Sequence, residues 1–219
     1  MFARTLILIA GLLSLSASFA FAADGAKPAW EAGKSYQLIE PPQPTTTGNK
    51  IEVLEVFSYA CPHCAHFQPY ADQLKASLPK NAEFVLLPAD FEPRWIAFAR
   101  SFYVAKSLGL VEKTHQAMFD AIHRDKLPMN SLDDMAGFYA QHGADKGSFL
   151  STVESFVVDG QLANGHDREV KYGIDSTPTL IINGKYRITA NAEQKIDFDE
   201  MVAIAQFLVA QEAATTKKH

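Results

Sequence analysis

Cysteine is nearly absent: the 219-residue chain has two, both in Cys61-Pro62-His63-Cys64. So few exclude a disulfide-stapled scaffold, and none is needed. Nearly half of the residues are apolar, 15 of them Phe, enough for one good core with a small subdomain. Basic charge is also short. Twenty Lys and Arg against 25 Asp and Glu give a formal net charge of −5, which argues against nucleic acid, a partner bound by basic faces. No stretch approaches the ~18 uninterrupted apolar residues of a membrane-spanning helix, and no internal repeat is present.

The amino terminus carries Arg4, an apolar run from Leu6 to Leu15, and then Ala20-Phe21-Ala22, the small-x-small pattern of a signal-peptidase site. A secretory leader over residues 1–22, cut after Ala22, is expected. Its loss removes Arg4 and takes the formal charge from −5 to −6. The mature protein is then soluble and extracytoplasmic.

A short edge strand is read at Ser35 to Glu40, closed by Pro41-Pro42-Gln43-Pro44, which cannot lie inside a sheet. Ile51 to Phe57 alternates and runs directly into the cysteine pair. Period two places Ile51, Val53, Glu55 and Phe57 on one face, so Glu55 is either buried or at an edge. Phe67, Tyr70, Ala71, Leu74 and Leu78 then recur at helical spacing up to Pro79, and Phe84 to Leu87 reads as a strand. Strand, helix, strand requires parallel pairing with a right-handed crossover.

From Asp90 the pattern is helical, with breaks at Gly109, Pro128 and Gly143, a capping box at Ser131-x-x-Asp134 and a last apolar face of Phe149, Val153 and Phe156. Thr179 to Ile182, Asn183-Gly184 and Lys185 to Ile188 read as a hairpin with a two-residue turn. A final helix follows Asp197, with a frayed tail from Glu212. The expected domains are an α/β unit in two segments at 23–89 and 160–212, an inserted helical subdomain at 90–159, and a flexible tail at 213–219.

An exported Cys-x-x-Cys reads first as redox chemistry. Cys61 lies where strand meets helix, Pro62 suits the first helical turn, and Cys64 faces the same way three residues on. Unpaired N–H groups and the positive end of the helix dipole favour the Cys61 thiolate, to which the His63 imidazole can add. Every unit by which folding lowers that pKa is worth ~1.4 kcal/mol in favour of the reduced state, equivalent to ~30 mV of reduction potential. Two blander readings exist: an inert disulfide, which so short a loop makes a poor staple, and half of a zinc site with His63 and His66, which lacks a second ligand pair. His66 reads as a surface histidine.

The order of these elements, Val53 to Phe57 leading into Cys61-Pro62-His63-Cys64, the helical insertion, and Ser176-Thr177-Pro178-Thr179 ahead of Asn183-Gly184 resemble the DsbA family of the thioredoxin superfamily over nearly the whole mature chain. The resemblance implies an α/β thioredoxin fold with an inserted helical subdomain. It implies a periplasmic thiol:disulfide oxidoreductase that donates its disulfide to reduced, folding clients, works without metal or organic cofactor, and is reoxidised by a DsbB-like quinone-linked membrane oxidase. A monomer is the default expectation, because no heptad run or extra domain supplies an interface. Cys61 is then the nucleophile, Cys64 the resolving partner, His63 the stabiliser of the Cys61 thiolate, and Glu55 a buried acid serving Cys64. Pro178, which on residues alone reads as a trans proline opening an edge strand, is implied to be cis, leaving Thr177 to pair with substrate. Two positions depart from the family's better-known members: Gln68 stands where they have a second acid, and Thr177 where many strong oxidases have Val. A reductase or isomerase kept reduced by a membrane electron donor, and a redox-inert peptide-binding chaperone, stay open as other classes.

Overall fold

The computed structural model describes residues 30–216, so the expected leader and residues 217–219 lie outside the described residues. Its strands are β1 (Gln37–Leu38), β2 (Ile51–Phe57), β3 (Ala82–Pro88), β4 (Thr179–Ile182) and β5 (Tyr186–Thr189), in one sheet of order β1-β5-β4-β2-β3. Helix α1 (Pro62–Ser77) crosses from β2 to β3, which pair in parallel as the strand-helix-strand pattern requires; the other pairings are antiparallel. Between β3 and β4 lie α2 (Ile96–Ser107), α3 (Val111–Phe119), α4 (Leu132–Gln141), α5 (Lys146–Val153) and α6 (Phe156–Tyr172), and α7 (Phe198–Thr216) closes the chain.

All seven residues of β2 are buried because both faces of the strand are covered. Ile51 and Val53 pack with Phe67 and Leu74 of α1 and Met201 and Leu208 of α7. Leu54 and Val56 pack with the helical insertion, among Phe102, Met118, Met135 and Phe149. Each such aliphatic side chain contributes on the order of 1.5–3 kcal/mol by leaving water. The alternation fails at Phe57, which joins the insertion cluster instead of following Ile51 and Val53. Pairing with β4 ends at Val56, and beyond it the Phe57 ring meets Phe102 (5.5 Å), Tyr59 (5.1 Å) and His115 (4.8 Å) edge-on. Glu52, on the insertion side and fully buried, is held by Arg168 of α6 at 2.6 Å.

Local signals account for most element ends. Ser131 and Asp134 form the expected reciprocal capping box. The β1 strand is only two residues long, shorter than Ser35 to Glu40, since the prolines that follow supply no donors for a longer ladder. In the hairpin Asn183 and Gly184 both take positive φ, but the register pairs Ile182 with Tyr186, so Lys185 belongs to a three-residue loop and β5 starts one residue later than expected. Gly184 is required for a second reason: a Cβ there would run into the Gln43 carbonyl oxygen.

Phe156 is a correction. Phe149 and Val153 are fully buried, but Ser155 caps a new helix, its Oγ accepting from the Val158 N–H at 3.4 Å, and this change of phase leaves Phe156 84% exposed. The new helix, α6, runs unbroken across residues 159 and 160, the expected limit of the insertion. The tail is a correction too. Helix α7 continues to Thr216, and Glu212 is buried, taking hydrogen bonds from Asn183 (2.6 Å), Lys185 (2.7 Å) and Tyr186 (3.1 Å).

Candidate redox site

Strand β2 hands the chain to a tight turn in which the Cys61 N–H returns to the Ser58 carbonyl at 3.0 Å. Cys61 is the extended N-cap residue of α1 and Pro62 occupies its first turn, where the missing N–H costs nothing. Cys64 follows one turn inward. Cys61 is 6% exposed and Cys64 completely buried, and both are free thiols. The Cys61 Sγ lies 3.6 Å from the Thr177 carbonyl oxygen, which brings the cis Thr177–Pro178 segment against this sulfur. The Thr177 Oγ1 is buried beside the two sulfurs, where a hydrogen bond from its hydroxyl favours the thiolate form.

The two sulfurs are driven apart in acidity. The Cys61 pKa falls from 9.0 to about 5, first because the Cys64 thiol donates a hydrogen bond to it; the backbone N–H groups of Cys64 and His63 add to this, against the opposing effect of burial. Burial pushes Cys64 far up, and the neighbouring Cys61 pushes it further. The arrangement therefore holds a thiolate at Cys61 and a thiol at Cys64.

Below the pair, Glu55 of β2 is completely buried. Its Oε1 accepts from Gln68 Nε2 at 3.1 Å, the same nitrogen lies 3.3 Å from the Cys64 carbonyl, and Oε2 has no partner. Burial raises the Glu55 pKa from 4.5 to about 8, more than the Gln68 hydrogen bond lowers it. Its carboxyl is thus mostly protonated at neutral pH. On the outer side, His63, Ser176, Thr177, Pro178, Ala190 and Phe198 line a cleft of about 280 Å³. His63 and Pro62 are exposed, and so is His66, as a surface residue should be.

The sequence matches the family described as Thioredoxin over residues 47–204. It is 35% identical to the thiol:disulfide interchange protein DsbA of Pseudomonas aeruginosa over 98% of this chain and all of that one, and 36% identical to that of Pseudomonas syringae pv. tomato over 98% of both. The crystal structure of Pseudomonas aeruginosa DsbA superposes with a TM-score of 0.78 at 35% identity, covering 86% of this chain and 97% of that one. The oxidoreductase DsbA from Xylella fastidiosa also gives 0.78, at 34% identity, covering 84% and 98%. The chain belongs to the DsbA family of the thioredoxin superfamily.

As a DsbA-family member it is a disulfide oxidoreductase, with the α/β thioredoxin fold and helical insertion expected of it. Of the residues singled out in the sequence, Cys61, Cys64 and Thr177 meet directly, with Pro178 joined to Thr177 by the cis bond, and Glu55 reaches them through Gln68. His63 contributes its backbone N–H. The DsbA resemblance marked Gln68 only as a missing acid, whereas it is the link between Glu55 and α1. The anchorage of the active-site turn was also missed. Tyr59 donates to or accepts from His115 Nδ1 at 3.0 Å, and His123 Nε2 meets the Tyr59 carbonyl at 2.7 Å, tying the turn to the insertion. The one available signal was His115 on an otherwise apolar helical face.

Proposed function

We propose that this protein is an exported dithiol oxidase that donates the Cys61–Cys64 disulfide to reduced, folding proteins in the periplasm. The observation that carries the reading is the opposite displacement of the two thiols, which stabilises the reduced pair through a Cys61 thiolate and so makes the disulfide a strong oxidant. A client thiolate attacks Cys61 Sγ, the bond to Cys64 breaks, and the Cys64 sulfur leaves with the electron pair and takes up a proton. Glu55, protonated at neutral pH and linked to α1 through Gln68, is the acid for that step. A second client thiolate then attacks the client sulfur of the mixed disulfide, and Cys61 leaves readily as its stabilised thiolate. Two electrons pass from client to enzyme, and the client gains a disulfide. Thr177 and Pro178, on the wall of the cleft beside Cys61, receive the extended client segment, and His63 and Pro62 tune the helix end.

Turnover needs an oxidant, assigned to a DsbB-like quinone-linked membrane oxidase. The enzyme acts as a monomer after its leader is removed behind Ala22. A reductase would gain from a disulfide more stable than the dithiol, the reverse of what a low Cys61 pKa favours, and a redox-inert chaperone has no use for the thiol asymmetry. Equilibrating the mature protein in graded glutathione buffers and counting free thiols tests the reading. A potential well above the glutathione couple is expected. A value near that of cytosolic thioredoxins overturns the oxidase in favour of a reductase.

A further inference from the structure

Away from the cysteines, the second residue past the end of β3 meets the inner turn of α6. Asp90, His166 and Glu169 place a carboxylate oxygen, an imidazole nitrogen and a second carboxylate oxygen within 4.8 Å of one another, the only such group among the described residues. His166 and Glu169 are three apart and share one face of α6. We propose that these three side chains form a zinc site that fastens α6 to the segment leaving the sheet.

Glu169 is 2% exposed. Its Oε1 accepts from the Asp90 N–H at 3.3 Å, its side chain faces that of Asp90, and its Oε2 is buried with no N–H or O–H donor from another residue. A buried carboxylate oxygen without a donor is costly, and in folded proteins such an atom is met by a hydrogen bond, a water or an ion. The second carboxylate makes the need greater. Asp90 has a side chain 9% exposed, and its Oδ1 takes His166 Nδ1 at 2.8 Å. Arg168, beside Glu169 in the sequence, makes no ion pair with either carboxylate among the described residues; its Nη2 serves Glu52 at 2.6 Å and the Tyr172 hydroxyl at 3.1 Å. Two carboxylates therefore converge on one imidazole.

The donor set selects the metal. Calcium and magnesium take oxygen ligands, whereas one imidazole with two carboxylates suits zinc, with solvent in the remaining position. Solvent reaches the group at His166, whose side chain is 57% exposed. Next to it in α6, Gly165 packs against α2, where a Cβ would stand 2.5 Å from the Tyr103 hydroxyl and force that ring to shift.

The test uses the full mature protein with its Cys61–Cys64 disulfide closed, so that the thiols cannot bind metal. Zinc chloride is titrated calorimetrically and thermal unfolding is followed in parallel. One saturable site is expected, with a midpoint that climbs as zinc is added, since zinc binds the folded chain alone. His166→Ala removes the Asp90 hydrogen bond and so lowers the zinc-free midpoint, which serves as that variant's own baseline; against it the zinc-induced climb should vanish and calorimetric binding weaken by about tenfold or more, while His66→Ala on α1 binds as wild type. Absence of a saturable site in the oxidised protein, or equal binding by wild type and His166→Ala, overturns the proposal and leaves the three residues as a hydrogen-bonded polar cluster.

Discussion

Gln68 Nε2 stands 3.1 Å from Glu55 Oε1 and 3.3 Å from the Cys64 carbonyl, so one amide ties the buried acid of the sheet to the helical turn that carries the second thiol. Glu55 is held near pKa 8 against an ordinary 4.5. Between those values the folded chain keeps a proton that the unfolded chain has released, so this group makes stability fall as pH rises. Glu55→Gln should flatten that slope and stabilise the protein at pH 8 by on the order of a few kcal/mol, read from denaturant midpoints across the pH range. Gln68→Leu, which removes the donor and keeps the acid, should steepen the slope.

Cys61 carries the opposite sign. Its folded pKa of about 5 lies below its ordinary 9.0, so in the reduced protein it adds stability that is complete above the unfolded value and disappears as pH falls through about 5. Thiolate ultraviolet absorbance should titrate near that value. Because the Cys64 thiol is the largest cause, Cys64→Ala should move the midpoint upward, and an unmoved midpoint would assign the effect to the helix end instead.

Exchange chemistry separates the two cysteines as well. Cys61→Ser should abolish oxidation of a reduced peptide, whereas Cys64→Ser should accumulate mixed disulfides with clients, visible on non-reducing gels. An active Cys61→Ser protein would contradict the assignment of the nucleophile.

His115 is partly buried behind the active-site turn, with its Nε2 buried and unpartnered and its pKa lowered by desolvation from 6.5 to about 3. The unfolded chain takes up a proton between those values and the folded chain does not, so stability should fall as pH drops from 6.5 toward 3. His115→Phe should reduce this acid sensitivity, measured by thermal unfolding at pH 4 against pH 7.

Glu212 locks the end of α7 onto the β4–β5 loop through Asn183, Lys185 and Tyr186. Glu212→Ala strands donors in a partly buried setting and should cost about 1–3 kcal/mol in urea unfolding, while replacements in the exposed following turn should be nearly neutral.

Patterns with a short physical cause were legible in the chain: the parallel unit around α1, the Ser131 capping box and the positive φ of Asn183-Gly184 are fixed by residues a few positions apart. The site was legible where chemistry is carried by residue type, as with Cys61 and Cys64, or by a charge in an apolar strand, as with Glu55. What stayed hidden depends on distant packing. Phe57 leaves its expected face where β4 stops pairing at Val56, Phe156 turns outward because Ser155 restarts a helix, and α7 runs on to Thr216 with Glu212 bonded to a hairpin 26 to 29 residues upstream. Gln68, polar in a helix of mixed face, carried no sign that its amide had two buried acceptors.

Covering β2 on both faces has a consequence for how faults spread. The strand is a wall shared by two separately packed rooms, with Ile51 and Val53 fitted to one and Leu54, Val56 and Phe57 to the other. Loosening in either room shifts the same seven residues, and Cys61 stands four residues past their end. The acidity of one thiol is thus an internal gauge of the whole molecule, responding to a cavity cut into the insertion or beneath α7 even where no altered atom lies near sulfur.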